Sequence, residues 1–460
     1  MADSRPDPSD PPISSVPPRK PHLLALAAVY ALLVTYGSLV PLDFQPMPFE
    51  RVVQRVDEVL HQRLEFRSRS DLLVNVMLTI PMSFLLMAGF CADRSRTVAL
   101  FAATGVVLAC VLFAAGIEFS QLFFPPRVSS LTDIASQGLG SCIGVLAWAF
   151  RGQATIDWCR RLTKVNTAPG LAGLLLPSYV VLLILMHIAP FDLITRPKEA
   201  ATKWREGRIH LIPFQTFYEK PIEGLDKTLI NFAYFLPVGL LWGLGPIRQK
   251  PRRLQVLHAA TTGLLVAGSV EVLQLMVFSR TFDTTDILTG LLAIVMGAEA
   301  TAAFCQSHDR SATWRSRVFL GLAILVWLVA LMNDYWRPFD FSFDSGLFAS
   351  RLDQIEWLPL ADSHHGNDFQ AILHLSDRVL LFLVLGALCT LSFPAGLGRK
   401  AGLKVVAAVF VAASILETGQ LFLASRHFGI TDILFAVSGG WLGYSLVATL
   451  TKLANSSGTA

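Results

Sequence analysis

Four polar residue types recur three times in this chain at fixed spacing. In each copy, which we call a cassette, a Glu is followed by Gln after three residues, Arg after nine and Asp after fifteen. Arg offers a bidentate fork to a phosphate or carboxylate, Glu and Gln accept hydroxyl or amine donors, and two carboxylates can act in general acid–base chemistry. The cassettes are Glu118, Gln121, Arg127 and Asp133; Glu271, Gln274, Arg280 and Asp286; and Glu417, Gln420, Arg426 and Asp432.

The spacing admits two interpretations. In the first, a Glu–Arg ion pair clamps the hairpin, and the Asp, which follows Thr132 in the first cassette, caps the next helix. In the second, the four groups form a polar pocket that binds a ligand at the outer leaflet. Glu and Gln lie on one helix face because they are three residues apart, so we expect all four groups to converge near one membrane depth. The Gln favours the pocket, because neither capping nor charge pairing requires an amide.

The composition predicts an all-α, polytopic membrane protein. Hydrophobic residues make up 53% of the 460 residues and charged residues 16%, with a mean hydropathy of +0.52, whereas soluble proteins carry about 25% charged residues. Twelve apolar stretches, four per repeat, approach the roughly 20 residues that cross a bilayer. They lie at about 22–41, 71–90, 99–123, 131–150, 170–190, 228–245, 255–277, 286–304, 317–332, 371–392, 402–423 and 432–450.

The basic residues predict the orientation. By the positive-inside rule, the short loops rich in Lys and Arg lie in the cytoplasm, together with both termini. The cassettes and three long loops, at 42–70, 191–227 and 333–370, then lie outside. The first 21 residues hold seven prolines and are predicted to be a disordered cytoplasmic tail. The net charge of +4 is spread through the loops, so no nucleic-acid partner is predicted.

A Pro-x-Asp marker closes the first span of each repeat, and we assign it a structural role because Pro stops a helix and Asp satisfies a turn. In two repeats the following loop has apolar residues at helical spacing. They predict a helix that lies on the membrane surface or packs on the protein's own span ends. The markers are Pro41 to Asp43, Pro190 to Asp192 and Pro338 to Asp340; the apolar residues are Val52, Val53, Val56, Leu60 and Leu64, then Leu347, Phe348, Leu352 and Ile355.

The second and fourth spans also carry repeated features. Asn75 and Asn231 each lie six residues before a proline in the second span, and we expect each to join an interhelical hydrogen-bond network or to touch a ligand. Repeat 3 departs from this pattern, with Asp377 followed by Arg378 and no such Asn. The fourth spans carry small residues four apart, as in Gly140-x-x-x-Gly144, which predicts close helix packing.

Neither a metal nor a cofactor is predicted. Asp362, His364 and His365 cluster in one loop, but adjacent His residues in a polar loop are usually solvated. The sequence has no Gly-rich phosphate loop, hydrolase elbow or zinc-protease pattern.

In these motifs the chain resembles the VanZ-like family of membrane proteins, named for a protein associated with low-level resistance to the glycopeptide antibiotic teicoplanin. The resemblance spans three repeats, at 22–150, 170–304 and 317–450, whereas family members usually carry one four-helix unit. It implies a cell-envelope setting, in the bacterial cytoplasmic membrane, and no established reaction. In the middle repeat it rests on Pro190, Asp192, Asp226, Lys227, Asn231, Gly239, Glu271, Gln274, Thr285, Asp286, Ile287 and Gly297.

The leading functional hypothesis is that outward pockets bind an envelope lipid or a lipid-linked precursor and so modulate antibiotic susceptibility. The first alternative, which we favour less, is an enzyme acting on such a lipid, with Glu and Asp as acid–base groups and Arg on the phosphate. A transporter is the second, although transporters tend to bind substrate near the midplane. A structural scaffold is the third. The sequence determines no oligomeric state.

Overall fold

The protein is a polytopic helical membrane protein. A computed structural model describes residues 17–61, 69–125, 127–165, 167–245, 251–306, 314–353, 355, 357–360, 368–392 and 398–456. Within these ranges, nine helices are long and apolar enough to cross a membrane, and a further apolar helix at Leu320–Trp336 is shorter. Each predicted span coincides with a helix. Residues 1–16 of the predicted tail lie outside the described ranges.

Each repeat is built from four long helices with shorter elements between them. Repeat 1 contains α1 (Lys20–Leu39), α2 (Phe49–Leu60), α3 (Arg69–Cys91), α4 (Arg96–Gln121), α5 (Leu131–Ala147), a π-helical turn (Trp148–Gly152) and α6 (Gln153–Lys164). Repeat 2 contains α7 (Ala168–Ile188), α8 (Pro197–Arg205), β1 (Ile209–His210), α9 (Gln215–Glu219), α10 (Pro221–Leu244), α11 (Arg252–Leu275), β2 (Phe282–Asp283) and α12 (Thr284–Gln306). Repeat 3 contains α13 (Trp314–Trp336), α14 (Ser345–Asp353), α15 (Asp368–Leu391), α16 (Arg399–Gln420) and α17 (Ile430–Ser456).

The chain divides into two compact units, the first holding repeat 1 and the second holding repeats 2 and 3. The four long helices of a repeat, called first to fourth below, are α1, α3, α4 and α5; α7, α10, α11 and α12; and α13, α15, α16 and α17. Each cassette runs from the end of the third helix into the start of the fourth. We call that end of a repeat its cassette end.

The second and fourth helices of each repeat approach closely at glycines. A Cβ added at Gly297 of α12 would lie only 2.7 Å from the Leu236 carbonyl oxygen of α10. Gly144 and Gly443 face the backbone of the second helix in the same way in repeats 1 and 3. The prediction that the fourth helix packs through small residues is therefore confirmed.

Repeats 2 and 3 share an apolar core. Tyr335 of α13 and Phe382 of α15 are fully buried and meet edge to face, with ring centroids 6.1 Å apart. Ala233 of α10 belongs to the same buried cluster. Because large aromatic side chains bury much apolar surface, this cluster holds the second helix of repeat 2 against repeat 3.

Both amphipathic loop segments form helices, but Ile355 lies beyond the end of α14. α2 buries none of its residues, and Val53 and Leu60 are 52% and 62% exposed, which suits a helix lying on a membrane surface. α14 instead packs on its own repeat, because Phe348 stacks on Phe422 of the cassette hairpin with ring centroids 5.3 Å apart. Leu64 lies outside the described residues.

The loop between α7 and α10 is attached to the cassette hairpin of repeat 2. β1 and β2 pair in parallel, with Ile209 beside Phe282. Lys203 of α8 is buried, and its Nζ donates to the carbonyl oxygens of Gln274 and Val277 at 2.6 Å each. A helix leaves its last carbonyls unpaired, so this ammonium stabilises the end of α11. Nothing in the hydropathy pattern predicted the attachment.

Candidate functional site

The cassette Arg binds the end of its repeat's first helix. Arg280 donates from Nε to the Ala189 carbonyl oxygen (2.6 Å) and from Nη2 to that of Met186 (3.2 Å). A guanidinium fork can satisfy two of the carbonyls that a helix end leaves unpaired. The equivalent contacts are Arg127 with Val40 (3.0 Å) and Gly37 (2.8 Å), and Arg426 with Arg337 (2.8 Å) and Asp334 (3.4 Å).

The cassette Gln binds the first helix through a carbonyl between those two. Nε2 of Gln274 lies 3.3 Å from the His187 carbonyl oxygen. If the Gln274 amide is turned over, its nitrogen donates instead to Glu271 Oε1 at 3.1 Å. The equivalent contacts are Gln121 with Ser38 (3.1 Å) and Gln420 with Tyr335 (3.2 Å). Arg thus holds the cassette hairpin against the first helix in all three repeats, and Gln does so in repeats 1 and 3.

The cassette Glu is buried and accepts a backbone N–H twelve residues later. Glu271 Oε2 accepts from the Asp283 N–H, with an N–O distance of 2.8 Å. The equivalent contacts are Glu118 with Ser130 (2.7 Å) and Glu417 with Gly429 (2.9 Å). Among the described residues no cassette Glu forms an ion pair with its cassette Arg. The predicted Glu–Arg clamp is therefore wrong. The guanidinium donates to helix carbonyls, and the carboxylate accepts from a backbone N–H.

The cassette Asp lies in the first turn of the fourth helix without capping it. Ser130 caps α5 by accepting from the Thr132 N–H (3.2 Å). At the start of α12, Asp283 accepts from the Thr285 N–H (2.9 Å). The predicted cap at Asp133 is wrong, because α5 begins two residues before it.

In repeats 2 and 3 the cassette Asp pairs with a cation on the second helix. Lys227 Nζ lies 2.8 Å from Asp286 Oδ2 and 3.0 Å from Asp283 Oδ2. Arg378 Nε lies 3.1 Å from Asp432 Oδ2. Opposite charges attract strongly where the surroundings are poorly polarisable, so these pairs fix the second helix to the fourth at the cassette end.

Asn75 and Asn231 both make interhelical hydrogen bonds, which the network interpretation predicted. Asn231 Nδ2 donates to the Asp286 carbonyl oxygen at 2.9 Å. Asn75 Oδ1 accepts from Gln137 Nε2 at 3.1 Å. Asn231 additionally faces a cavity.

The repeat-2 cavity has a volume of about 570 Å³ and opens at the cassette end of that repeat. Four of the candidate ligand-binding residues line it, namely Asn231, Gln274, Arg280 and Asp286, whereas Glu271 does not. Because Glu271 is buried and bound to the backbone, it is poorly placed for acid–base chemistry on a ligand there. The other lining residues are Met186, His187, His210, Thr216, Glu223, Asp226, Lys227, Ile230, Tyr234, Ser279, Thr281, Arg337 and Asp377.

Most of these additional lining residues could not be found from spacing. His210 and Thr216 come from the loop between α7 and α10, and neither belongs to a motif that the sequence repeats. Arg337 and Asp377 come from repeat 3. Asp226 and Lys227, near the start of α10, were named in the sequence analysis only as part of the family resemblance.

Asp283 gathers several donors beside the cavity. Its Oδ2 lies 3.0 Å from Lys227 Nζ, 3.2 Å from Thr216 Oγ1 and 3.5 Å from His210 Nδ1. Burial raises the pKa of Asp283, but hydrogen bonds from Thr285 and the charge of Lys227 outweigh burial and hold the pKa below its ordinary value of 3.8. Thr216 also faces His210 Nδ1 (3.2 Å), so these residues do not form a hydrolase relay, which uses both ring nitrogens.

Repeat 3 places a buried guanidinium at the corresponding point. Arg378 is 3% exposed, forms ion pairs with Asp334 and Asp432, and lies over the Tyr335 ring with its central carbon 4.0 Å from the ring centroid. Repeat 3 therefore neutralises Asp334 and Asp432 with Arg378. At the corresponding position of repeat 2, the Asn231 amide faces the cavity.

A metal centre has no geometric support in the part of the chain that is described, where no group of three or more His, Cys, Asp or Glu side chains could hold a metal ion. Asp362, His364 and His365 lie outside the described residues.

The repeats match one known protein family. The model of the VanZ/LLP1 family matches residues 24–152, 178–304 and 319–451. No curated protein and no solved structure matches the chain. The three matched ranges cover most of the chain and include every cassette. The chain therefore belongs to the VanZ/LLP1 family, as a multi-pass membrane protein that carries the family's unit three times in tandem.

Proposed function

We propose that the repeat-2 cavity binds the polar head of a bacterial envelope lipid, or of a lipid-linked precursor, at the outer face of the cytoplasmic membrane. This binding modulates susceptibility to antibiotics that act on the envelope. The family's cell-envelope setting and the basic residues of the opposite loops support this placement.

The apolar border of the cavity is the observation that carries the proposal. The segment 210–226 contributes His210, Thr216, Glu223 and Asp226 to the lining. The same segment exposes large apolar side chains, at Leu211, Ile212, Phe214, Tyr218, Ile222 and Leu225. A polar cavity beside an exposed apolar surface fits a ligand with a polar head and a hydrocarbon chain, whereas a small soluble ligand needs no such border.

Arg280 supplies the anchor for an anionic head. Its Nε and Nη2 bind helix carbonyls, while its Nη1 has no hydrogen-bond partner among the described residues and the side chain lines the cavity. Thr281 carries a hydroxyl and lines the same part of the hairpin, whereas the Ser279 hydroxyl already donates to Asp192 Oδ1 at 2.8 Å. Guanidinium and hydroxyl donors together suit a phosphate oxygen.

Lipid binding by matched Arg variants tests the proposal. The full chain is purified in detergent, stripped of lipid and titrated with phosphatidylglycerol. Arg280→Lys keeps a cation but loses the fork, so we expect binding to weaken by about tenfold. Arg426→Lys is the control, because Arg426 makes the same helix contacts in repeat 3 but does not line the repeat-2 cavity. Equal losses in the two variants would contradict the proposal.

A complementation assay tests the cellular consequence. A strain deleted for the gene is scored for sensitivity to envelope-directed antibiotics while carrying the wild type, Arg280→Lys or Arg426→Lys at equal membrane abundance. We expect Arg280→Lys to fail and Arg426→Lys to complement. If complementation is lost only where abundance falls, the cassettes serve structure alone and the proposed function is wrong.

A further inference from the structure

Most charges that line the repeat-2 cavity are neutralised by a neighbour. The pairs are Lys227 with Asp286 (2.8 Å), Arg337 with Asp226 (3.1 Å) and Glu223 with Lys220 (3.1 Å). Among the described residues, the lining charges left without an ion pair are Arg280 and Asp377. They carry opposite signs and come from different repeats.

Arg280 and Asp377 are each held in place without being neutralised. Arg280 donates to uncharged backbone carbonyls. Asp377 Oδ1 accepts from the Tyr234 hydroxyl at 2.8 Å, and its Oδ2 accepts no hydrogen bond from a described residue. The two side chains do not pair with each other. A charge removed from water is stabilised by a counter-charge, and neither residue has an ion pair among the described residues, so the cavity presents one cation and one anion that a ligand can neutralise.

The surroundings of Asp377 are rich in carboxylates. Asp226, Asp334 and Asp377 lie at the seam between α10, α13 and α15, where Arg337 pairs with Asp226 and Arg378 pairs with Asp334. Arg378 is also engaged by the cassette Asp of repeat 3. The local excess of negative charge favours an added cation at Asp377.

We infer that the cavity selects a zwitterionic head group, with its phosphate or carboxylate at Arg280 and a primary ammonium at Asp377. This inference rests on the proposed function and specifies its ligand. A primary ammonium carries three donors and can bind Asp377 Oδ2 directly. A purely anionic head leaves Asp377 without a counter-charge, and a quaternary ammonium has no N–H to donate.

Three phospholipids with identical acyl chains test the selection. Phosphatidylethanolamine, phosphatidylglycerol and phosphatidylcholine are titrated separately against the delipidated full chain. We expect the wild type to bind phosphatidylethanolamine about tenfold more tightly than the other two, because the ammonium adds a charge-assisted hydrogen bond. Asp377→Asn keeps an acceptor for Tyr234 but should lose this preference while still binding phosphatidylglycerol.

Glu219→Gln is the matched control, because Glu219 is a carboxylate of the loop between α7 and α10 that does not line the cavity and instead accepts from Gln215 Nε2 at 3.0 Å. It should retain the preference, and a loss equal to that of Asp377→Asn would overturn the inference. Equal binding of all three lipids by the wild type, still weakened by Arg280→Lys, would overturn zwitterion selection and leave the proposed function standing. The absence of any lipid binding that depends on Arg280 would overturn both.

Soluble phosphoethanolamine distinguishes a lipid ligand from a free head group with the same phosphate and ammonium. If it binds far more weakly than phosphatidylethanolamine, the apolar border contributes and the ligand is a lipid. If it binds as tightly and with the same dependence on Asp377, zwitterion selection is upheld and the lipid assignment is overturned.

Discussion

Arg378 of α15 stands in repeat 3 where Asn231 of α10 stands in repeat 2. Each lies eight residues before the glycine, Gly386 or Gly239, that packs against the fourth helix. Each also binds the cassette Asp of its own repeat, Asn231 through the carbonyl and Arg378 through the carboxylate. Because Arg378 is longer than Asn231 and positively charged, it forms ion pairs with both the first and the fourth helix of repeat 3. Repeats 2 and 3 therefore share one helix arrangement but place different polar groups at this position.

Arg378→Ala should destabilise repeat 3 strongly. The substitution leaves Asp334 and Asp432, which are 16% and 13% exposed, without their buried cation, and breaking a buried ion pair in this way costs about 3–5 kcal/mol. The free energy of unfolding in detergent measures the loss. Arg252→Ala is the control, because Arg252 lies 2.7 Å from Glu299 but is 79% exposed, and exposed pairs contribute about 0–1 kcal/mol. Equal losses would show that Arg378 is not buried among its acids.

Arg426→Ala should free the end of α13. Its guanidinium bonds to two helix carbonyls are lost, and hydrogen bonds to a charged group contribute about 1.5–3 kcal/mol. Arg426→Lys should lose less, because an ammonium still reaches one carbonyl. Hydrogen exchange at the cassette end of repeat 3 and the free energy of unfolding report the change. Unchanged exchange in Arg426→Ala would refute the capping role.

Glu417→Gln should be tolerated better than Glu417→Ala. Gln keeps an oxygen that can accept the Gly429 N–H, whereas Ala leaves that buried donor unpaired at a cost of about 1–3 kcal/mol. Thermal unfolding of the two variants in the same detergent gives the comparison. If Gln is as damaging as Ala, the negative charge of Glu417 matters, which would revive an ionic role.

Gly297→Ala should separate α10 from α12. Its methyl group would meet the Leu236 carbonyl oxygen at 2.7 Å, and overpacking of this kind costs about 1–3 kcal/mol. Gly321→Ala on α13 is the control, because nothing lies within 4 Å of its added Cβ, and Ala is favoured over Gly in a helix by up to about 1 kcal/mol. Equal unfolding free energies for the two variants would contradict the close approach.

The stabilisation from Asp283 should disappear in acid. Its pKa is held below the ordinary value of 3.8 in the folded protein, so its contribution is fully present above the unfolded pKa and is lost as the pH falls through the folded pKa. The difference in unfolding free energy between wild type and Asp283→Asn should be constant near neutral pH and shrink below about pH 4. A difference that does not change with pH would show that Asp283 is not paired with Lys227.

Residue spacing along the chain identified the repeats, the helical membrane class and the packing glycines. These features depend on hydropathy, chain length and side-chain size, which act locally and recur in each copy. The cassette residues were also found this way, since Glu271 and its counterparts keep identical spacing. Their partners were not, and both the predicted Glu–Arg clamp and the cap at Asp133 are wrong.

Tertiary structure alone decided what the cassette residues bind. Arg280 meets the Ala189 carbonyl 91 residues earlier, and Tyr234 meets Asp377 143 residues later. Every residue has a backbone carbonyl, so the sequence cannot indicate which carbonyls the Arg side chains bind. Only the packing of the first helix beside the cassette hairpin identifies them. The repeat-2 cavity likewise takes Arg337 and Asp377 from repeat 3, because repeats 2 and 3 pack together and bring charges from two copies to one place.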